Sequence, residues 1–316
     1  MDFTTKVPIP KSIFPIDYQS KILSFGSCFT ENMARKFDYY KFQNSCNPFG
    51  ILFHPLAIEN SISRIINLEL FEEKEFFFNN ERWHNFEIHS DLSNPDKEAL
   101  LLEINDLLVA ANKQVQEASH IIITYGTSWV YRNIHTNKLV ANCHKVPQNN
   151  FDKELLSVSD IEKSIKNTIN LIKKVNPNCN LIFTISPVRH LKDGFVENQM
   201  SKANLIAGLH SVLFSQNTPK SYFPSYEIMM DELRDYRFYA EDLLHPNSVA
   251  IDYIWKRFAV SLVSEDAFFT MNEVEAIQRD LSHRPFNTSS ESYKKFQIQL
   301  ETKINNIKSK FPFMNF

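Results

Sequence analysis

The sequence predicts an α/β domain, with a parallel sheet covered by helices on both faces. Three observations carry this reading. Short continuous apolar runs recur at residues 21–25 (KILSF), 120–124 (HIIIT) and 181–185 (LIFTI), as strands buried on both faces require. Between them lie stretches whose apolar residues repeat at helical spacing. The first two runs end near Gly26 and Gly126, in a chain of 316 residues with only 5 glycines. Right-handed crossovers then place the strand carboxyl ends on one edge, where ligands bind in such sheets.

The elements follow in order. After the first strand, Phe29, Met33, Phe37 and Tyr40 mark a helix. Asn94 and Pro95 form an N-cap and first-position pair. They open a long helix with Leu100, Leu101, Ile104, Leu107, Leu108, Ala111 and Val115 inward. Ser159 and Glu162 have capping-box spacing. The helix behind them carries Ile161, Ile165, Ile169, Ile172 and Val175, and Asn176-Pro177-Asn178 stops it. A further helix runs from Val196 to about Leu213. The last core helix starts after Asn247, with Ile251, Ile254, Phe258 and Leu262 on one face.

Two regions interrupt the alternation. Residues 68–90 read as a β-rich insertion and residues 127–150 as a hairpin. The α/β domain is expected over 1–265 and a C-terminal helical extension over 266–316. In the extension, Thr270 and Glu273 cap a short helix with Val274, Ile277 and Leu281 inward. A second helix carries Tyr293, Phe296, Leu300, Ile304, Ile307 and Phe311. That stripe is expected to pack on the α/β domain or to build a homo-oligomer.

Composition narrows the function. Hydrophobic residues are 43% and charged residues 22%, ordinary for a globular chain. A net charge of −3 argues against electrostatic capture of nucleic acid. Cys28, Cys46, Cys143 and Cys179 form no C-x-x-C pair, so zinc-ribbon and thioredoxin readings fail. No signal-peptide or membrane-spanning run is visible, so a cytoplasmic protein without membrane partners is expected.

Two motifs carry chemistry. In Phe25-Gly26-Ser27-Cys28-Phe29 a serine stands at the end of a strand and the mouth of a helix, where N–H groups can receive a developing oxyanion. The plain alternative is a helix N-cap. In Glu241-Asp242-Leu243-Leu244-His245-Pro246-Asn247 an aspartate and a histidine three residues apart can share one loop. The aspartate would then fix the imidazole tautomer while the other ring nitrogen faces a nucleophile. Cys28 is read as a small packed residue, because neighbours on a turn cannot both face the histidine.

With these residues in view, GSCF at 26–29 resembles the GSCFA family, named for that stretch, which is similar to the SGNH/GDSL hydrolases. The resemblance covers most of residues 20–260. It is carried further by Asn47-Pro48-Phe49-Gly50, the GTSWVY run at 126–131, the NCHK run at 142–145, the SPVRH run at 186–190 and Glu197-Asn198-Gln199. It implies a three-layer, SGNH-hydrolase-like (flavodoxin-like) sheet and a serine esterase without cofactor, acting on a small-molecule or carbohydrate ester. Ser27 is the implied nucleophile, His245 the base and Asp242 its orienter.

Two departures stand out. Thr30 replaces the alanine of the family name. More seriously, the third SGNH block, Gly-x-Asn, reads Gly126-Thr127-Ser128 and lacks the asparagine that donates to the oxyanion. Thr127, Ser128 or Asn142 is expected to replace it, with Gly50 supplying a backbone N–H. His144, Lys145, Arg189 and His190 are expected to line the substrate site, with structural salt bridges the alternative for Arg189 and Lys145. A metal held by Cys143, His144, His190 and His245 is disfavoured, because their spacing matches no zinc motif. The readings from other classes are a catalytically silent glycan- or partner-binding module, and an O-acyltransferase on the same triad.

Overall fold

The chain begins its core with strand β1 (Lys21–Gly26), which turns sharply into helix α1 (Cys28–Tyr39) and returns as β2 (Gln43–Cys46). Helix α2 (Pro55–Asn67) follows, then a small hairpin of β3 (Phe77–Asn79) and β4 (Arg82–His84), and helix α3 (Lys97–Glu117). Next come β5 (His120–Tyr125), β6 (Trp129–Asn133), β7 (Leu139–Val140), β8 (Phe151–Leu155), α4 (Val158–Val175), β9 (Asn180–Ile185) and α5 (Phe195–Ser215). The chain closes with β10 (Lys220–Phe223), a short α6 (Ser225–Glu227) running into a π-turn, α7 (Ser248–Leu262), α8 (Glu265–Ser282) and α9 (Glu291–Lys310). The structure is a computed structural model describing residues 5–215 and 220–316.

The sheet order is β2-β1-β5-β9-β10, all parallel. Counted by sheet strands this is the flavodoxin-like order 2-1-3-4-5, whose direction of winding reverses between β1 and β5. Ligands in such sheets bind at the carboxyl ends of those two strands, where Ser27 lies.

Side-chain alternation splits the core in two. Leu23, Phe25, Ile121, Ile123, Leu181 and Phe183 face α2, α3, α4 and α5. Ile22, Ile122, Ile182 and Phe223 face α1, α7 and α8. Each such buried side chain contributes roughly 1.5–3 kcal/mol relative to exposure, and the two layers together make the expected three-layer domain. Among the described residues no helix is long and apolar enough to cross a membrane.

Several boundaries differ from the sequence reading. Asp96, not Asn94, caps α3, its carboxylate accepting from the N–H of Glu98 at 2.9 Å and Ala99 at 3.0 Å. Ser157 caps α4 in a reciprocal box with Asp160, and Ser159 lies inside the helix. In both places the better acceptor sits two residues from the one the pattern favoured. The insertion at 68–90 holds only the β3–β4 pair as strand. Its remainder is pinned by Phe71, Phe76 and Ile88 in the core and by Arg64 on Glu75 (2.6 Å) and Glu87 (2.9 Å). The hairpin β6–β7 gains a third strand, β8, on its other side.

Helix α8 starts at Glu265, capped by Ser264, and buries Thr270 within it. Its Ala267, Met271, Val274 and Ile277 share the second core cluster with Ile307 of α9 and with Met314. The C-terminal helices therefore pack on this chain's own α/β layer.

Candidate active site

Ser27 follows β1 directly. Gly26 has φ 144°, and a Cβ there would lie 2.3 Å from the Thr124 carbonyl oxygen, so only glycine lets β1 close on β5 at this point. Ser27 occupies the N-cap position of α1 yet makes no side-chain cap bond. Its Oγ is buried and has no hydrogen-bond partner. The residue has the place of a cap without performing the capping.

Asp242 and His245 lie in a tight loop whose ends are joined by the Tyr239–Pro246 bridge and by the Ala240 N–H on the His245 carbonyl at 2.7 Å. Asp242 Oδ1 accepts from the N–H of Leu244 (2.9 Å) and His245 (3.0 Å), and Oδ2 accepts from His245 Nδ1 at 2.6 Å. Those backbone donors, joined by the imidazole, pull the Asp242 carboxyl down to about 2. With Nδ1 donating to Asp242, Nε2 is left as the acceptor, the arrangement a general base needs. The Arg189 N–H bonds the Leu244 carbonyl at 3.2 Å, which fastens this loop to the chain leaving β9. The expected Asp242–His245 hydrogen bond is thus formed. The Ser–His hydrogen bond is not closed, because Ser27 Oγ has no partner.

Gly126 stands at the exit of β5, the strand paired with β1. A Cβ on it would meet the Phe53 carbonyl at 3.2 Å and His190 Nε2 at 3.3 Å. His190 packs edge-on against Phe53, and its Nε2 is buried without a partner. Burial, then the charges of Lys202 and His245, push the His190 imidazole down to about 3. Lys202 of α5 is 1% exposed and donates to the carbonyls of Gly126 and Ser186, both at 2.7 Å. It clamps the exits of β5 and β9 together, and burial lowers its ammonium to about 7. Burial raises the Cys28 thiol, so it is a packed group and no ready thiolate.

The expected oxyanion donors are not presented to Ser27. The Gly50 N–H closes a turn on the Asn47 carbonyl at 2.8 Å, and its missing side chain makes room for His89. Thr127 Oγ1 bonds Ser201 Oγ at 3.0 Å, and Ser128 Oγ donates to the Ser201 carbonyl at 3.1 Å. Helix α5 takes up both hydroxyls. Asn142 lies just after β7, where its Oδ1 accepts from the His144 N–H at 2.8 Å.

His144 also leaves the expected lining. Its Nε2 bonds the Asn85 carbonyl at 2.7 Å, its ring packs near His84, and burial holds it down to about 4. Lys145 is exposed next to it. Of the four lining residues, Arg189 and His190 remain beside the Asp–His loop. Among the described residues no three His, Cys, Asp or Glu side chains gather as metal ligands.

A family model described as "GSCFA family" matches residues 21–258, which include every residue of this edge. The chain belongs to the GSCFA family. A second model, "GSCFA domain protein, C-terminal domain", matches residues 274–316. No curated protein matches the chain.

In this GSCFA chain two groups at the edge escaped sequence reasoning. Lys202 falls on the buried stripe Asn198, Ser201, Leu205 and Leu209 of α5, and a lysine on such a stripe is a signal that can be read. Asn47 stands in the run that carries the family resemblance, but nothing in that run marks its contact with β1.

Proposed function

We propose that this chain is a serine ester hydrolase of the SGNH/GDSL type, cleaving an ester-linked acyl group, on a carbohydrate by family analogy. The observation that carries the reading is the Asp242–His245 pair, at 2.6 Å through Nδ1, on the same sheet edge as Ser27 at the switch point of the strand order. Ser27 Oγ attacks the ester carbonyl while His245 Nε2 takes its proton and then gives it to the leaving alcohol. Water completes hydrolysis by the same route. An alcohol in its place makes the O-acyltransferase.

Arg189 gives the site its substrate preference. It stacks on Tyr239 at 4.2 Å and Tyr236 at 5.3 Å, lining a cleft of about 120 Å³ that Arg234 and Asp235 also line. Its planar guanidinium suits an anionic group on the ester. Free cysteines throughout fit a reducing compartment, and we place the protein in the cytoplasm. Leu300, Ile304, Ile307 and Phe311 of the C-terminal stripe pack on this chain's own second core cluster.

A second reading, a silent binding module, is favoured by the full burial of Ser27 and its open link to His245. A fluorophosphonate probe with mass mapping separates the two. The hydrolase is expected to be labelled at Ser27, and His245→Ala to lose the label. Well-folded protein that takes no label, or takes it at Cys28, sinks the hydrolase reading.

A further inference from the structure

The loop leaving β2 puts an unassigned amide beside the nucleophile. Asn47 continues the β1–β2 ladder by one rung, its N–H bonding the Ser24 carbonyl at 2.8 Å. Its backbone then enters the left-handed region, φ 47°, which asparagine tolerates. This swings its side chain back onto β1, where Oδ1 accepts from the Gly26 N–H at 2.8 Å.

That bond fixes which way the amide points. A flipped amide would set its NH₂ against another N–H, so Oδ1 faces Gly26 and Nδ2 faces away. Nδ2 is buried and has no acceptor. Leaving such a donor unpaired costs about 1–3 kcal/mol, and folded proteins carry few of them. Ser27 Oγ, one residue beyond the bonded Gly26, is likewise buried and unpaired. A donor without an acceptor and a nucleophile without a partner thus share the end of β1, next to the amino terminus of α1.

Three of the expected donors are spent. Gly50, Thr127 and Ser128 are committed as described above, and the N–H groups of Gly126 and Thr127 both bond the Phe53 carbonyl, at 2.7 and 3.1 Å.

We infer that Asn47 Nδ2 is the side-chain oxyanion donor of this site, in place of the asparagine missing after Gly126. The inference rests on the hydrolase reading above. As the Ser27 Oγ–carbon bond forms, the carbonyl π pair moves onto oxygen and the serine proton passes to His245 Nε2. Asn47 donates a hydrogen bond to that oxygen and keeps its own protons. On collapse the bond to the leaving alcohol breaks, and the alcohol takes the proton from His245.

The test uses the full chain with p-nitrophenyl acetate and the fluorophosphonate probe. Asn47→Asp keeps an oxygen for the Gly26 N–H and sets a second oxygen where the donor was. Asn47→Gly suits the left-handed backbone and removes the amide. Both are expected to lower kcat and the labelling rate by about 10²–10³ with little change in KM. Wild-type protein labelled at Ser27 together with Asn47→Asp or Asn47→Gly turning over at the wild-type rate overturns the assignment and leaves the hydrolase standing. Wild-type protein that takes no label overturns both.

Discussion

Lys202 is a buried charged group whose ammonium donates to two carbonyl oxygens and lies over the Tyr226 ring. Those oxygens end β5 and β9, so the ammonium does for the sheet edge what another strand's N–H groups would do. Replacing it with methionine of similar length strands both acceptors, at about 1–3 kcal/mol each, and removes the cost of burying the charge. Lys202→Met is therefore expected to destabilise the protein by about 2 kcal/mol at pH 7. The folded ammonium sits near 7 and the unfolded one near 10.5. Over that window the unfolded chain holds the extra proton, so this group's contribution to stability rises with pH and is lowest below 7. Urea titrations from about pH 7.5 to 9 are expected to show wild type gaining on Lys202→Met by up to about 1.4 kcal/mol per pH unit. Parallel curves would show that the lysine is not held as described.

Two loops do the building at the edge. The one after β2 straps the strand exits: Asn47 holds the Gly26 N–H, the Leu52 N–H bonds the Gly26 carbonyl at 3.1 Å, and the Phe53 carbonyl takes Gly126 and Thr127. The one after β9 carries Arg189 and His190 and is anchored by Asn198 Oδ1 on the His190 N–H at 2.9 Å. If Arg189 reads an anionic group, Arg189→Ala should raise KM about tenfold or more for an ester bearing a carboxylate, the equivalent of about 1.4 kcal/mol. KM for neutral p-nitrophenyl acetate should stay put. Equal effects on the two esters would remove Arg189 from recognition. The caps show the limit of local patterns at this level. Sequence spacing finds α3 and α4 but misplaces their first residues, because Asp96 and Ser157 compete with equally plausible neighbours two residues away.

Across the whole molecule the burial of neutral histidines sets the acid limit. His54 caps α2 through Nδ1 and bonds the Val140 carbonyl through Nε2; burial lowers it to about 4. His144 sits at about 4 and His190 at about 3, again chiefly through burial. Unfolded histidine titrates near 6.5. Between 6.5 and 4 the unfolded chain takes up protons that the folded one refuses, so stability present above 6.5 is lost as pH falls. Each histidine contributes a slope of up to about 1.4 kcal/mol per pH unit in that window. His54→Asn keeps a capping oxygen and removes one titration. Its urea midpoint is expected to fall less steeply than wild type from pH 6.5 to 5, and an unchanged slope would refute the account.

Periodicity and local spacing are enough, without coordinates, to read the alternating α/β layers, the strand-end serine and the Asp-x-x-His loop. Each is encoded within a few residues: a continuous apolar run, a glycine before Ser27, an aspartate whose carboxylate reaches N–H groups two and three residues on. What the sequence leaves undecided is which polar atoms meet across the edge. Asn47 reaches Gly26 from 21 residues away and Lys202 reaches Gly126 from 76. Thr127 and Ser128, good donors by composition, are claimed by Ser201 more than 70 residues later. A hydroxyl or amide carries no mark of its eventual partner. Only the closing of β1 on β5 and the packing of α5 beneath them assign those partners, and with them the atoms left unpaired at the end of β1.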